Sequence, residues 1–381
     1  MPFEFVTAGR VVFGRGRADD LGGILARLGT RALVCTGANP TRQAALLHGL
    51  LVPYVVSSVD NEPTVDSARA AAATGREFEA DVVVAIGGGS ALDLGKAAAI
   101  LLANGGDPLD YLEVIGSGQP FERPALPCVA VPTTAGTGSE VTANAVLTSR
   151  EHRVKASLRS PFMLPTVALV DPLLTLGCQP PVTASSGLDA LTQCLEPFVS
   201  VRANAVTDAL AREGLRRAGR SLRAAYVDGS NVDAREDMML CSLLGGMALA
   251  NAKLGAVHGF ASAIGGVADV PHGLACAALL VPVAEANVTA LRARDDGNLA
   301  LSRYAEAARL LTGDDDASLA DGLDWLRDTV RRLEVPRLGE YGIGPDDADA
   351  IVARAATAGS TQGNPVVLTA EELHAALASA V

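Results

Sequence analysis

The stretch Asp81-Val-Val-Val-Ala-Ile-Gly87-Gly88-Gly89-Ser90-Ala-Leu-Asp93-Leu-Gly-Lys96 decides how the chain is read. Residues 82–86 are continuously apolar, as a strand covered on both faces requires. Three glycines then turn it into a segment of helical composition. A buried strand that enters a helix through such a turn offers free backbone N–H groups and the positive end of the helix dipole, a site for an anion such as pyrophosphate. The same glycines also suit a tight strand-to-helix turn with no ligand. The G-x-G-x-x-G dinucleotide fingerprint is absent.

Outward from this stretch, 10–13, 31–36, 53–59, 81–86, 128–133 and 166–170 read as strands, and 18–28, 41–50, 65–79 and 91–103 as helices. That alternation predicts a parallel α/β sheet with right-handed crossovers. After Asp171 the character changes. Pro180-Pro181 precedes Thr183, a candidate helix N-cap, and 183–199, 204–226, 232–252, 273–288, 298–311, 317–333, 345–357 and 369–379 read as helices. Thr369-Ala-Glu-Glu372 fits a capping box. The expected architecture is an α/β dinucleotide-binding domain over 1–178 and an all-helical metal and substrate domain over 179–381. No Gly/Ser or charged linker separates them, which predicts tight packing around a cleft that Gly87–Ser90 faces.

The 381 residues carry 31 basic and 43 acidic side chains, a formal net charge of -12. That sign argues against nucleic acid or an anionic membrane surface as partner. Leu274–Ala284 is too short to span a bilayer, and 243–270 is interrupted by Asn251, Lys253, His258 and Asp269. The start lacks a basic segment followed by an apolar one, so a cytoplasmic protein is expected. The cysteines at 35, 128, 178, 194, 241 and 276 form no C-x-x-C pair and read as reduced core thiols.

Two further features carry chemistry. Val131-Pro-Thr133-Thr134-Ala-Gly-Thr137-Gly-Ser-Glu140 follows a strand and crowds hydroxyls and glycines that would hold a ribose, an adenine edge or a phosphate. Two such loops at the carboxyl ends of parallel strands point to a ligand crevice. In the helical half, His258 and His272 lie in apolar surroundings, and Asp189 and Gln193 share one apolar helix. Buried imidazoles need hydrogen-bond partners or a metal, and both readings stay open at this point.

The strings Gly87-Gly-Gly-Ser-Ala-Leu-Asp93-Leu-Gly-Lys96, Val131-Pro-Thr-Thr-Ala-Gly-Thr-Gly-Ser-Glu-Val-Thr142, Gly187-Leu-Asp189-Ala-Leu-Thr192 and Val257-His258…Val270-Pro-His272-Gly273 closely resemble the iron-containing (group III) alcohol dehydrogenases. These belong with glycerol dehydrogenase and maleylacetate reductase in the dehydroquinate synthase-like superfamily. The resemblance runs from Val11-Val-Phe-Gly14 to Gly363-Asn364-Pro365. It implies a Rossmann-like first domain, a helical metal domain and NAD(P)-dependent interconversion of an alcohol and a carbonyl. By the same resemblance, Gly87, Gly88, Gly89 and Ser90 hold the pyrophosphate, and Thr133, Thr134 and Thr137 line the adenine and ribose. Asp93, Asn144 and Lys155 lie nearer the ribose and nicotinamide, with Lys155 also at the catalytic centre. Asp189, His258 and His272 are catalytic metal ligands for Fe2+ or Zn2+.

The chain departs from the family pattern at two positions. Gln193 stands where a ligand histidine is usual, as a weak oxygen ligand or a hydrogen-bond donor to bound water, and Ser262 stands where many members have a second cleft histidine. These departures motivate two alternatives: a metal-independent oxo-acid reductase of the maleylacetate type, and a nucleotide-binding protein that has lost catalysis. Many NAD-preferring relatives place an aspartate after the second strand, where this chain has Gly37-Ala38-Asn39, so either NAD or NADP is expected. The expected partners are a small alcohol, aldehyde or oxo-acid and further copies of the chain, as a homodimer or larger homo-oligomer.

Overall fold

The computed structural model describes residues 2–152 and 154–381. They divide into an α/β unit, Thr7–Thr134 with Gly138–Thr175, and a helical unit made of Leu176–Val381, Ala135–Thr137 and residues 2–6. The division thus falls at Thr175, and the short segment carrying Thr137 groups with the helices.

The strands of the α/β unit are β1 (Val11–Phe13), β2 (Ala32–Gly37), β3 (Tyr54–Val59), β4 (Val82–Gly87), β5 (Cys128–Pro132), β6 (Asn144–Ser149), β7 (Val154–Arg159) and β8 (Val167–Val170). Its helices are α1 (Leu21–Leu25), α2 (Ala44–His48), α3 (Val65–Glu77), α4 (Gly89–Asn104) and α5 (Pro108–Tyr111). Six strands form a parallel sheet in the order β1-β8-β5-β4-β2-β3. Successive residues of β4 feed opposite faces: Val82, Val84 and Ile86 pack with Leu21 and Leu25, whereas Val83 and Ala85 pack with Leu92 and Ala98 of α4. This two-sided burial explains the continuous apolar runs. The order reverses between β2 and β4, since β3 lies on one side of β2 and β4 on the other. Ligands of open α/β sheets bind beyond the strand carboxyl ends at such a reversal.

The antiparallel hairpin β6–β7 is an addition to the expected elements. Its buried positions, Ala145, Leu147, Ala156 and Leu158, alternate with mostly polar ones, the pattern of a strand covered on one face rather than the continuous apolar run of the main sheet.

The helical unit comprises α6 (Pro180–Val199), α7 (Ala205–Val227), α8 (Val232–Ala252), α9 (Ala256–Ile264), α10 (His272–Arg294), α11 (Leu299–Thr312), α12 (Leu319–Arg332), α13 (Ala348–Thr357) and α14 (Ala370–Ala380). No strand follows Val170 among the described residues. Thr183 is inside α6 rather than its N-cap: Pro180 and Pro181 open the helix, and the Thr183 hydroxyl donates back to the Gln179 carbonyl at 3.2 Å. The Thr369 capping box forms as the sequence indicates. Helix α9, absent from the sequence reading, is held by burial of Val257, Phe260 and Ile264 despite its internal glycine. Helix α10 is long and apolar enough to cross a bilayer by composition, yet 72% of its most apolar stretch is buried, as in the core helix of a folded domain.

Candidate functional site

In the α/β unit the site begins where β4 ends. Gly87 has φ +155°, a conformation side chains disfavour, and a Cβ there would fall 2.7 Å from the Ala91 methyl. Gly88 caps α4 without any side-chain hydrogen bond, which leaves the helix start open to a ligand. Thr134 Oγ1 lies 3.3 Å from where a Gly88 Cβ would sit, and the Thr133 amide donates to the Gly87 carbonyl at 2.8 Å. The structure therefore brings Gly87, Gly88, Gly89 and Ser90 beside Thr133 and Thr134. The backbone amide of Gly37, at the end of β2, is 3.5 Å from the same Gly87 Cβ position, which puts the cluster at the sheet reversal.

Asp93 accepts from Ser139 Oγ at 2.5 Å and the Val146 amide at 2.8 Å, and pairs with Lys96 at 3.1 Å. It ties α4 to the threonine-rich loop and to β6. Asn144 and Lys155 share one face of the hairpin, with Asn144 opposite Arg159 and Lys155 opposite Thr148. The Lys155 ammonium is paired with Glu62. Thr137 is not grouped with Thr133 and Thr134 but with the helical unit.

The helical unit holds a second cluster. Asp189, Gln193 and Glu196 sit on one face of α6, His258 on α9, and His272 and Cys276 one turn apart at the start of α10. One donor atom each from Asp189, His258, His272 and Cys276 converge within 4.8 Å of one another. His258 Nε2 lies 3.3 Å and His272 Nε2 3.9 Å from Asp189 Oδ1.

Glu196 fixes the His258 ring. One carboxylate oxygen meets His258 Nδ1 at 2.7 Å while the other accepts from the Val257 amide at 2.8 Å. With the Nδ1–H donated to Glu196, Nε2 faces Asp189, so that a cation displacing the Nε2 proton would meet the lone pair there, the orientation a metal-ligating histidine takes from its carboxylate partner. Gln193 Nε2 donates to Asp189 Oδ2 at 2.8 Å and leaves Oδ1 exposed to the cluster.

Asp189 Oδ1, Gln193 Oε1 and His258 Nε2 are buried without a well-aligned hydrogen bond, the 3.3 Å approach of His258 Nε2 to Asp189 Oδ1 being an ion-pair contact of the protonated ring. Three such atoms in one place demand a reason, and a cation between them provides one. The charges agree. Burial opposes ionisation of Asp189, but His258, His272 and Gln193 hold its pKa down to about 2. Burial likewise opposes a charged His272, yet Cys276 and Asp189 raise its pKa to about 9, and His258 is raised in the same way. The cluster attracts positive charge and its donor set fits a divalent ion.

The family model described as "Iron-containing alcohol dehydrogenase" matches residues 8–172, and "Fe-containing alcohol dehydrogenase family, C-terminal" matches residues 183–381. The chain belongs to the iron-containing alcohol dehydrogenase family. It is 37% identical to alcohol dehydrogenase 4 of Saccharomyces cerevisiae over 319 residues, 84% of this chain and 80% of the yeast protein. It is 33% identical to sulfoacetaldehyde reductase of Bilophila wadsworthia over 93% of this chain and 92% of that protein. A crystal structure of 1,3-propanediol oxidoreductase superposes with TM-score 0.90 at 34% identity, covering 100% of both chains. That of sulfoacetaldehyde reductase from Bifidobacterium kashiwanohense in complex with NAD+ gives TM-score 0.86 at 29% identity, covering 100% of this chain and 99% of that one.

For this alcohol dehydrogenase family member, sequence reasoning missed Glu196 and Cys276. Both lie on helix faces already marked by a candidate ligand: Glu196 seven residues after Asp189 and Cys276 four after His272. That periodicity was the available signal. Ser262, one turn beyond His258 on α9, is exposed.

Proposed function

We propose that this protein is a nicotinamide-dependent oxidoreductase that transfers hydride between NAD or NADP and a small alcohol or aldehyde, with a divalent cation held by Asp189, His258 and His272. The observation that carries the reading is the convergence of Asp189 Oδ1, His258 Nε2 and His272 Nε2, two of them buried without a hydrogen bond. A cation bound there would supply Lewis acidity to the substrate oxygen. Glu196 keeps His258 in the tautomer that directs Nε2 into the cluster, and Gln193 steadies the Asp189 carboxylate.

In this reading the α/β unit binds dinucleotide and the helical unit binds metal and substrate. The backbone of Gly87–Gly89 and the Ser90 hydroxyl hold the pyrophosphate at the start of α4. Thr133, Thr134 and Thr137 take the adenosine side, Asp93 braces their loop, and Asn144 and Lys155 approach the ribose and nicotinamide. The metal-independent oxo-acid alternative is not favoured: of the two cations near the motifs that would hold a carboxylate, Lys155 is paired with Glu62 and Lys253 is exposed.

The test is a screen of small alcohols and aldehydes against NAD(H) and NADP(H). β2 ends in Gly37 and the chain continues Ala38-Asn39, where the neutral Asn39 side chain accepts from the Thr41 amide at 3.1 Å, so these positions carry no carboxylate to repel a 2′-phosphate. Turnover with both cofactors is expected. A preference above about a thousandfold, roughly 4 kcal/mol, would contradict this account of the loop, and absence of hydride transfer across the screen would overturn the function.

A further inference from the structure

We propose that Cys276 supplies a fourth protein donor to the metal centre, giving an Asp-His-His-Cys site that favours zinc over harder ions such as Mn2+ and Mg2+. The inference rests on the metal-dependent reading above and deepens it.

The distances support it. Tetrahedral zinc, with Zn–N and Zn–O near 2.0–2.1 Å and Zn–S about 2.3 Å, requires donor separations of about 3.3 Å between N or O atoms and about 3.6 Å between N and S. The structure has 3.3 Å from His258 to Asp189, 3.9 Å from His272 to Asp189, and 3.7 Å from Cys276 Sγ to His272 Nε2. The first and third match a tetrahedral edge to within about 0.1 Å, the second is about 0.6 Å longer, and all four donors lie within 4.8 Å of one another, so small side-chain adjustments close the site on an ion. The i, i+4 spacing on α10 points His272 and Cys276 from one helix face.

Cys276 also differs from the other buried thiols. Cys194 and Cys241 face each other at 3.8 Å, whereas Cys276 faces the imidazole of His272. Ligation forms a sulfur–metal bond and releases the thiol proton to water, with no oxidant or reductant involved. A thiolate is a softer donor than a carboxamide, so it shifts preference toward zinc. The competing donor is Gln193 Oε1, buried and unpartnered, on a side chain whose nitrogen end is committed to Asp189.

The probe is cobalt(II), which occupies zinc sites and shows a near-ultraviolet charge-transfer band only when a thiolate binds it. Full-length protein treated with chelator and titrated with cobalt(II) is expected to develop that band. Cys276→Ser should lose it while keeping visible cobalt absorption and the parent's circular dichroism, and Gln193→Ala should retain it. The zinc-to-manganese affinity ratio should fall by about tenfold or more in Cys276→Ser. If the serine variant does not fold, Cys276→Ala serves the same comparison, and the parent's own spectrum still decides whether a thiolate binds. Cobalt bound by the parent without the band, or a band that survives loss of Cys276, overturns the fourth ligand and leaves the three-ligand site standing. Failure of the parent to take up cobalt overturns both.

Discussion

Glu140, in the loop after β5, is fully buried with Oε1 unpartnered, and burial pushes its pKa from 4.5 to about 7 despite the nearby charge of Lys96. A carboxyl raised on folding contributes its stability in full below the unfolded value and loses it as pH climbs through the folded one. Glu140→Gln should remove that slope. Its melting temperature relative to the parent is expected to rise between about pH 4.5 and pH 7.5, and a difference constant over that range would contradict the assignment. Legibility at this scale followed residue chemistry. Asp189, His258 and His272 stand out as polar groups in apolar sequence, whereas Cys276 among Leu274, Ala275 and Ala277 looks like any core thiol. What marks it is its place one helical turn after His272 on α10, which gives its sulfur an imidazole neighbour.

At the scale of elements, the parallel strands were legible because burial on both faces leaves a continuous β-branched run, as in β4. The β6–β7 hairpin and α9 were not, since the packing that holds them comes from residues distant in sequence. Gly259 shows this. A Cβ there would lie 2.0 Å from Thr361 Oγ1, so α9 approaches the chain after α13 more closely than alanine allows. Gly259→Ala should destabilise the protein by about 1–3 kcal/mol and, by moving His258, weaken metal binding. Thr361→Ala removes the obstructing hydroxyl, so in the double variant the cost of Gly259→Ala should shrink. Equal costs in both backgrounds, measured by urea denaturation, would show that the close approach is not the cause.

For the whole molecule, family membership over 8–172 and 183–381 favours an oxidoreductase over a binding protein without catalysis, and the sheet reversal at Gly37 and Gly87 gives the α/β unit a place for a ligand. The sequence located the change from α/β to all-helical structure, because hydrophobic periodicity changes after Asp171. It did not show that Ala135–Thr137 groups with the helices, since local pattern carries no record of which unit a loop packs with. The central claim is that the buried Asp189, His258 and His272 cluster holds a metal that turnover requires. The most direct measurement compares NAD(P)H-linked turnover with bound-metal content for the parent and His272→Ala, before and after chelator and after re-addition of Zn2+, Fe2+ or Mn2+. The account predicts that parent turnover tracks metal content and returns on reloading, while His272→Ala loses both metal and at least about a hundredfold in rate, the loss of one strong stabilising interaction in the transition state. Full turnover in His272→Ala and in chelator-treated parent would contradict it.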